Sequence, residues 1–327
     1  MKAIVYEKYG PPEVLQLKEV EKPEPKENEV RIKIHATSVT KYDCWMRSNS
    51  APPGFGLLMR IASGRTPKKP ILGTELAGEI EALGREVSRF KVDDQVFGYP
   101  GMNLGAYAEY ICLPEAAVTK KPVNATSEEA AVILQGALTA LFFLRKAQIQ
   151  LGHKILIFGA SGGVGSYAVQ LAKHHFGAQV TGVCSTSKLE FVKSLGADQV
   201  IDYTKQDFTQ NGEVYDVIFD TVGKTSVSSA TRSLKKKGTY LVATFGLPMI
   251  IQILWLSMTS GRKFEYGALQ EKTEDMIFLK DLIQAGTIRP IIDRCYPMEQ
   301  AAEAHRYVES GHKKGGVVIN VGKNTKN

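Results

Sequence analysis

The sequence predicts an α/β protein that joins an antiparallel β domain to a doubly wound parallel sheet. Two observations carry this prediction: short strands with alternating apolar and polar residues fill the first third of the chain, and buried strands alternate with helices in the middle third. A helix at 298–311 and a strand at 315–321 then follow, so the chain is expected to return to its first domain. We therefore expect one discontinuous domain at 1–123 and 264–327, and a second at 124–263.

The antiparallel domain is predicted from strand periodicity. Val30, Ile32 and Ile34 share one face of a strand, and polar side chains occupy the other face. Similar short strands recur in EIEAL, DQVFGY and AYAEYICLP, with Gly and Pro between them. This pattern favours an antiparallel barrel or sandwich.

The parallel sheet is predicted from the order of its elements. A buried strand at 154–158 precedes a helix from 163 to about 174, and a strand at 179–183 precedes a helix at 188–196. Three more strands are predicted in QVIDY, VYDVIFD and TYLVATF. Strands that alternate with helices in this way favour a doubly wound sheet.

Composition excludes several classes of protein. The 327 residues suffice for about two domains, and the 23% charged residues are typical of a folded globular chain. The net charge of +7 favours anionic small ligands but is too low for a dedicated nucleic-acid binder. The four cysteines form no paired spacing, and MKAIVYEKYG lacks the apolar stretch of a signal peptide, so we expect a cytoplasmic protein.

An uncharged segment between Lys237 and Arg262 is long enough to cross a bilayer. However, Gly246, Pro248 and Gln252 interrupt it, and its first part has the β-branched composition of a strand. We expect a strand, a turn and a short apolar helix that covers a core or a subunit contact. Neither a membrane span nor a membrane partner is expected.

The strongest motif is a glycine-rich turn, GASGGVG, between a strand and a helix. Such a turn lets the backbone approach a pyrophosphate, whose charge is bound by free N–H groups at the positive end of the helix. The alternative is a structural turn that binds nothing. The predicted cofactor-binding residues of this turn are Ala160, Ser161, Gly162, Gly163, Val164 and Gly165.

The second strand of the unit predicts which cofactor binds. NAD-specific sites carry an acidic residue about 20 residues beyond the glycines, where it holds the ribose 2′-hydroxyl. Here the local run is GVCSTSK, in which Ser185, Thr186 and Lys188 offer hydroxyl donors and a cation for a 2′-phosphate. The run therefore favours NADPH over NADH, with an ordinary solvated loop as the alternative.

Several motifs in order resemble the medium-chain dehydrogenases/reductases, and within them the zinc-free quinone oxidoreductases. These motifs are MKAIVYEKYGPPEVLQL, ILGTELAGEIEALG, GAYAEY, GASGGVG, FDTVG and GGVVINV, and they span nearly the whole chain. The resemblance implies a GroES-like β-barrel domain and a Rossmann domain, with the active site in the cleft between them.

The resemblance also implies roles for individual residues. Lys188 and Tyr203 match positions that contact the adenosine 2′-phosphate, and Thr139 matches a threonine near the nicotinamide amide. The segments that match the nicotinamide lining are Val222, Gly223, Thr244, Phe245 and Gly246.

No metal is predicted. In the zinc-dependent alcohol dehydrogenases of this superfamily, a Cys, a His in a Gly-His-Glu run and a later Cys hold the catalytic zinc. The sequence has Thr40 and Thr74 at the first two positions and no Cys near Gln135. Threonine is a poor zinc ligand compared with thiolate or imidazole.

Chemistry without a Lewis acid favours conjugated substrates, because the charge that develops on an enolate or phenolate is delocalised and hydrogen bonds stabilise it. The catalytic candidates lie in the segment that aligns with the family's Asn-x-x-Asp-x-Tyr-x-Arg run. Thr40 or Tyr42 could donate to the substrate oxygen, and Trp45 lies near the usual Tyr. In the alternative interpretation, Asp43 and Arg47 form a structural pair beside the site.

We expect an NADPH-dependent, zinc-independent oxidoreductase that reduces quinones or α,β-unsaturated carbonyls, with residues 51–70 as a lid. One alternative is a zinc-free reductase of simple ketones or aldehydes. Another is a weakly catalytic NADPH-binding protein that contacts RNA through Arg232 and the lysines at 235–237, although no nucleic-acid partner is favoured. A homodimer is expected, paired through the strand near Tyr240–Phe245.

Overall fold

The structure is a computed structural model that describes residues 1–50, 54–56, 63–269 and 272–322. The chain forms two compact units, and the first is discontinuous. The first unit comprises Met1–Ser50, Leu58–Gln135 and Glu271–Asn327, and the second comprises Ala51–Leu57 and Gly136–Gln270. The main division therefore falls after Gln135, within a helix, rather than after residue 123.

The first unit is mainly strands, and strands alternate with helices in most of the second. The strands are β1 (Lys2–Val5), β2 (Gln16–Glu19), β3 (Glu29–Ser38), β4 (Leu76–Leu83), β5 (Gln95–Gly98), β6 (Tyr110–Pro114), β7 (Val118–Lys120), β8 (Lys154–Phe158), β9 (Gln179–Cys184), β10 (Gln199–Asp202), β11 (Tyr215–Asp220), β12 (Leu234–Val242), β13 (Lys263–Glu265), β14 (Ile292–Pro297) and β15 (Gly316–Asn320). The helices of the described residues are α1 (Lys41–Ser48), α2 (Ser127–Ala130), α3 (Leu134–Lys146), α4 (Gly163–Gln170), α5 (Leu189–Ser194), α6 (Val227–Arg232), α7 (Leu247–Thr259), α8 (Thr273–Gln284) and α9 (Ala301–Glu309).

The first unit is built around a mainly antiparallel sheet in the order β14-β15-β3-β4-β5-β7, with β6 also paired to β3. β3 lies at its centre and pairs antiparallel with β4, β6 and β15. Val30, Ile32 and Ile34 of β3 point into the core and are at most 2% exposed, as their spacing predicts. The return of β14 and β15 to this sheet confirms that the C-terminal segment belongs with the N-terminal strands.

The second unit contains a six-stranded, fully parallel sheet in the order β10-β9-β8-β11-β12-β13. The predicted doubly wound sheet is confirmed. The predicted edge strand is wrong: β12, which contains Tyr240, lies between β11 and β13 and is covered on both sides. The short strand β13 forms that edge instead, because three residues after α7 add to the sheet.

Helix α7 confirms the short apolar helix expected after the strand. Gly246 is its N-cap and Pro248 lies in its first turn, where proline is tolerated because that N–H has no helical acceptor. Ile253 and Leu256 are buried against the core of the second unit.

Within the described residues, one helical stretch, Ser127–Lys146, is long and apolar enough to cross a membrane, and α7 is shorter. About two thirds of Ser127–Lys146 (67%) is buried inside the protein, as in a core helix.

The predicted lid at 51–70 falls largely outside the described residues, since 51–53 and 57–62 are not described. Gly54 is described and lies against the start of α7. A Cβ atom at Gly54 would lie 2.6 Å from the Cβ atom of Leu247.

Candidate active site

The glycine-rich turn connects β8 to α4 through backbone contacts that exclude larger residues. Gly159 has a positive φ of 79°, and a Cβ atom there would lie 2.4 Å from Cγ2 of Val222. A Cβ atom at Gly165 would lie 2.1 Å from the carbonyl oxygen of Gly159. Gly162 is the N-cap of α4, so the first N–H groups of the helix remain without side-chain caps. The close backbone contacts fix the conformation of the turn, and the uncapped N–H groups are available to bind an anion.

Two further segments meet the glycine-rich turn at the carboxyl ends of the central strands. Val222 contacts Gly159, and a Cβ atom at Gly223 would lie 2.0 Å from the carbonyl oxygen of Thr244. Phe245 and Gly246 follow at the start of α7. The structure therefore brings together the segments that were predicted to line the nicotinamide.

Asp220 fixes the backbone of the segment that contacts the glycine-rich turn, and the sequence alone did not single it out. Its buried carboxylate accepts hydrogen bonds from the N–H groups of Val222 (2.9 Å), Gly223 (2.8 Å) and Thr225 (2.9 Å). It also accepts one from the hydroxyl of Tyr240 at 3.3 Å. The signal in the sequence was an acidic residue directly after the apolar run at 217–219, at a strand end where a buried carboxylate needs several donors.

Helix α3 approaches the same turn. A Cβ atom at Gly136 would lie 2.5 Å from the carbonyl oxygen of Gly163. Thr139 lies one turn further along that face of α3. Its predicted position near the cofactor amide is compatible with this approach.

The residues predicted to bind a 2′-phosphate gather at the ends of β9 and β10. Ser185 precedes the short turn Thr186–Lys188, and the N–H of Tyr203 donates to the carbonyl oxygen of Cys184 at 3.1 Å. Lys188 is only 8% exposed, whereas the Tyr203 side chain is 55% exposed.

The run GVCSTSK after β9 contains no carboxylate, but the neighbouring strand β10 places one beside it. Asp202 of β10 accepts a hydrogen bond from the hydroxyl of Thr186 at 2.5 Å and another from the hydroxyl of Thr204 at 2.7 Å. These hydroxyl donors hold the pKa of Asp202 below its ordinary value. Sequence reasoning missed this contact because the two residues are distant in sequence. The hydrogen bonds already engage the carboxylate, and the role of Lys188 at a 2′-phosphate stays a prediction.

A dinucleotide phosphate fits the second unit. The turn has no room for a Cβ atom at Gly165, its helix begins with uncapped N–H groups, and a lysine lies in the loop after β9. These are the donors and the space that a pyrophosphate and a 2′-phosphate require.

In the first unit, the candidate catalytic segment begins with a helix cap. Thr40 is the N-cap of α1, and its hydroxyl donates to Asp43 at 2.5 Å and accepts from the Asp43 N–H. Asp43 also accepts from the Thr40 N–H at 2.8 Å and the Gly73 N–H at 3.0 Å. Burial raises the pKa of Asp43 to about 6, and these donors limit the rise. The Thr40 hydroxyl proton is therefore engaged by Asp43.

Asp43 and Arg47 are both buried, but they have separate partners instead of the predicted mutual pair. The Arg47 guanidinium donates to the carbonyl oxygen of Gly10 at 2.8 Å and to the carboxylate of Glu309. Tyr42 and Trp45 are half-buried, and Tyr42 packs against the core of this unit. The catalytic roles of Thr40, Tyr42 and Trp45 stay predictions.

The Gly73-Thr74-Glu75 run forms a buried polar group that sequence reasoning examined only for zinc. Glu75 accepts hydrogen bonds from the Ser38 hydroxyl and from the Gln135 N–H, the latter at 2.8 Å. Burial raises the pKa of Glu75 to about 7. The Thr74 hydroxyl oxygen is buried without a hydrogen-bond partner. Carboxyl and hydroxyl groups thus stand where the zinc enzymes carry a metal ligand.

His305 is the buried histidine of this region, and its contacts are to uncharged groups. Its Nε2 atom lies 3.2 Å from the Tyr107 hydroxyl and its Nδ1 atom 3.6 Å from Sγ of Cys44. Burial and the Arg47 charge lower its pKa to about 3, so the ring is neutral. In the described part of the chain, no three His, Cys, Asp or Glu side chains group in a way that could hold a metal ion.

Comparisons with known proteins agree with both units. The family described as "Alcohol dehydrogenase GroES-like domain" matches residues 26–123, and the family described as "Zinc-binding dehydrogenase" matches residues 195–319. The chain is 34% identical over 330 residues to the 2-methylene-furan-3-one reductase of Solanum lycopersicum, covering 98% of this chain and 79% of that protein.

Two solved structures share the fold over nearly their whole length. The quinone oxidoreductase from Coxiella burnetii has a TM-score of 0.88 and 30% identity, covering 98% of this chain and 99% of that one. The Escherichia coli quinone oxidoreductase complexed with NADPH has a TM-score of 0.83 and 26% identity, covering 98% and 100%. With a GroES-like unit, a Rossmann sheet and full-length relatives, the chain belongs to the medium-chain dehydrogenase/reductase family, in its quinone oxidoreductase-like branch.

Proposed function

We propose that the protein is an NADPH-dependent oxidoreductase that transfers hydride to a quinone or to an α,β-unsaturated carbonyl compound. The glycine-rich turn carries this proposal, because its closed backbone and uncapped helix start form a pyrophosphate site. The similar proteins support the substrate class: one is a 2-methylene-furan-3-one reductase, and two are quinone oxidoreductases, of which one is complexed with NADPH.

The residues of the second unit have distinct roles in holding the cofactor. The N–H groups at the start of α4 bind the pyrophosphate, while Lys188 and Tyr203 bind the 2′-phosphate. Asp220 fixes the backbone at Val222 and Gly223, which lies against Thr244 and positions the nicotinamide. Bound NADPH supplies the hydride.

A conjugated acceptor suits the donors available in the first unit. Addition of hydride to the β-carbon of an enone, or to a quinone, leaves a delocalised oxyanion that then takes a proton. The hydroxyl groups of Tyr42 and of the unpartnered Thr74 are suited to such an oxyanion, whereas the Thr40 hydroxyl would first have to leave Asp43. We include zinc independence in the proposal, because threonines occupy two of the family's zinc-ligand positions.

The substrate experiment measures NADPH oxidation with quinones, enones, enals and unconjugated aldehydes, with chelator present and absent. We expect turnover of conjugated acceptors only, no effect of chelator, and no stoichiometric zinc by elemental analysis. Equal turnover of an unconjugated aldehyde would favour the alternative, a reductase of simple carbonyls. Loss of activity with chelator would disprove zinc independence.

The cofactor experiment uses Lys188→Gln, with Lys205→Gln as the matched control. Lys205 lies beside the same strand end, but its side chain is 70% exposed and 3.9 Å from Asp202. We expect Lys188→Gln to raise the Kd for NADPH by about tenfold or more and to leave the Kd for NADH unchanged, since one charge-assisted contact is worth roughly 1.5–3 kcal/mol. Equal weakening of both cofactors would contradict the role of Lys188.

The proposal extends to a cytoplasmic homodimer with no nucleic-acid partner. The exposed edge of β13 offers backbone groups for pairing with a second copy across a two-fold axis. Sedimentation that gives a monomer at micromolar concentration would disprove the dimer.

A further inference from the structure

The outer face of α7 carries a row of exposed apolar side chains, which we call the α7 stripe. Its members are Leu247 (41% exposed), Ile251 (62%), Leu254 (52%), Trp255 (64%) and Met258 (87%). Their spacing places them on one side of the helix, opposite the buried Ile253 and Leu256. No residue of α7 is charged. The helix is thus apolar on both faces, and the second unit covers one of them.

A contiguous stripe of this kind indicates a binding surface, because proteins rarely leave such large apolar side chains together in water. Trp255 and Met258 are among the largest members and the most exposed. Neither side chain contributes to the core of the second unit, which is closed by the opposite face of the helix.

The chain segment that contains the stripe carries only positive charge. From Lys224 to Lys263 the chain carries seven cations and no carboxylate. The cations are Lys224, Arg232, Lys235, Lys236, Lys237, Arg262 and Lys263.

Several of these cations gather at the C-terminal end of α7. The Arg262 guanidinium, three residues past the helix, donates to the carbonyl oxygen of Leu234 at 2.9 Å. This contact joins the end of α7 to the lysines at 235–237, which together with Lys263 line a cavity of about 280 Å³.

The cavity keeps a net positive charge. Asp216 also lines it and binds Lys235 at 2.9 Å. Within the described ranges, Lys236, Lys237 and Lys263 have no carboxylate partner. An apolar stripe whose helix is followed by Arg262 and Lys263, the second of which lines the cationic cavity, complements acyl chains beside anionic phosphates.

We propose that the second unit docks on an anionic lipid surface, with the α7 stripe among the acyl chains and the cationic cavity at a lipid phosphate. The helix of 13 residues is too short to span a bilayer, so it lies in the interface. This revises the expectation of no membrane partner, which rested on the absence of an uninterrupted span. Docking would also bring the enzyme to its substrate, because quinones and long-chain enals dissolve in membranes; this benefit rests on the proposed function.

A lipid surface explains the observations better than a second copy does. Two copies that packed through this face would bring together two cationic segments without any carboxylate between residues 224 and 263 to pair with them. An anionic bilayer supplies the missing negative charge and buries the stripe at once.

The first experiment sediments the full-length protein with vesicles of phosphatidylcholine, with or without phosphatidylglycerol. We expect the wild type to bind the anionic vesicles. A triple variant with Ile251→Ser, Trp255→Ser and Met258→Ser should partition onto these vesicles about tenfold less or weaker still. Lys236→Gln/Lys237→Gln/Lys263→Gln should remove the preference for anionic vesicles. The matched control is Met102→Ser/Val123→Ser, which alters residues that are 68% and 87% exposed on the first unit; it should bind like the wild type.

The second experiment uses the fluorescence of Trp255. The chain has two tryptophans, so Trp45→Phe leaves Trp255 as the only one. We expect its emission to shift to shorter wavelength when anionic vesicles are added, because the indole leaves water. An unchanged spectrum in the presence of bound protein would show that another surface binds the vesicles, and it would overturn the proposal.

Three outcomes of sedimentation would also overturn it. The first is that neither vesicle captures the wild type. The second is that the stripe variant turns a dimer into a monomer without any vesicle binding, which would assign the stripe to a second copy. The third is that single-stranded RNA binds where vesicles do not. None of these readouts needs NADPH or turnover. Activity on a short-chain, water-soluble quinone therefore tests the proposed function separately.

Discussion

The candidate region of the second unit is formed by backbone atoms, and that of the first unit by buried carboxyl side chains. In the second unit, the backbone forms the site: Gly159, Gly165 and Gly223 stand where a Cβ atom would lie 2.4 Å or less from a neighbouring atom. In the first unit, buried ionisable side chains form it, since Asp43 and Glu75 lose their water and rely on a few donors. A site made of backbone is fixed by sterics, whereas a site made of buried carboxyls depends on protonation. The two should therefore fail in different ways.

The largest effect is expected at the backbone site. Gly165→Ala places a Cβ atom 2.1 Å from the Gly159 carbonyl oxygen, so the turn must open. We expect a loss of about 3 kcal/mol or more in the free energy of unfolding, together with loss of NADPH binding. Denaturant unfolding and cofactor titration measure the two effects.

Gly322→Ala is the matched control for this substitution. A Cβ atom at Gly322 would have nothing within 4 Å, so stability and binding should be unchanged. A Gly165→Ala protein with wild-type stability and cofactor affinity would show that the turn adapts, and the contrast between the two regions would weaken.

A slightly smaller effect is expected at Asp220, where the backbone site depends on a side chain. Asp220→Asn replaces one acceptor oxygen with a donor that faces N–H or O–H groups. We expect a loss of about 2–3 kcal/mol in the free energy of unfolding, because buried donors are left unsatisfied. Tyr240→Phe, which removes only the 3.3 Å hydroxyl contact, should lose about 1 kcal/mol or less. Equal losses in the two variants would assign the effect to the hydroxyl alone.

The carboxyl region should respond to pH instead. The folded protein holds a proton on Glu75 up to about pH 7, whereas the unfolded chain releases it near pH 4.5. Because the folded state binds more protons in this window, stability falls as pH rises from about 4.5 to 7. Glu75→Gln mimics the neutral acid and should remove about 2 kcal/mol of that fall.

Unfolding measured from pH 4.5 to 8 tests this prediction. Asp43, whose pKa is raised to about 6, contributes a fall of the same sign in both proteins, so the difference between the two curves reports Glu75 together with its repulsion of Asp43. Parallel stability curves for wild type and Glu75→Gln would show that Glu75 is ionised in the folded state.

The smallest effect is expected at Thr40, which caps α1. Thr40→Ala removes the capping hydroxyl and should lower the free energy of unfolding by about 1 kcal/mol, and Thr40→Ser should restore it. The matched control is Thr126→Ala, which removes the same capping box from α2. If Thr40 also donates to the substrate, its Ala variant loses kcat, whereas the Thr126 variant keeps it. Equal kcat values would leave Thr40 as a cap alone.

Sequence reasoning predicted the elements that depend on local pattern. The alternation in β3, the strand, turn and helix around Gly162, and the short helix after Gly246 all follow from spacing and from residues with special backbone conformations. It failed where distant segments meet. The edge strand is β13 rather than β12, because three residues after α7 add to the sheet. Asp202 reaches Thr186 from the next strand, and Arg47 binds Glu309 from the far end of the chain.

The sequence by itself determined the two kinds of unit and the position of the glycine-rich turn. Periodicity and glycine placement act over a few residues, so they can be read directly. Only the tertiary structure decided which polar groups lose their water and which apolar ones keep it. Burial depends on every element packed around a residue. Packing raises the pKa of Glu75 by removing its water, and the lack of packing leaves Trp255 exposed on a helix that has no charged residue.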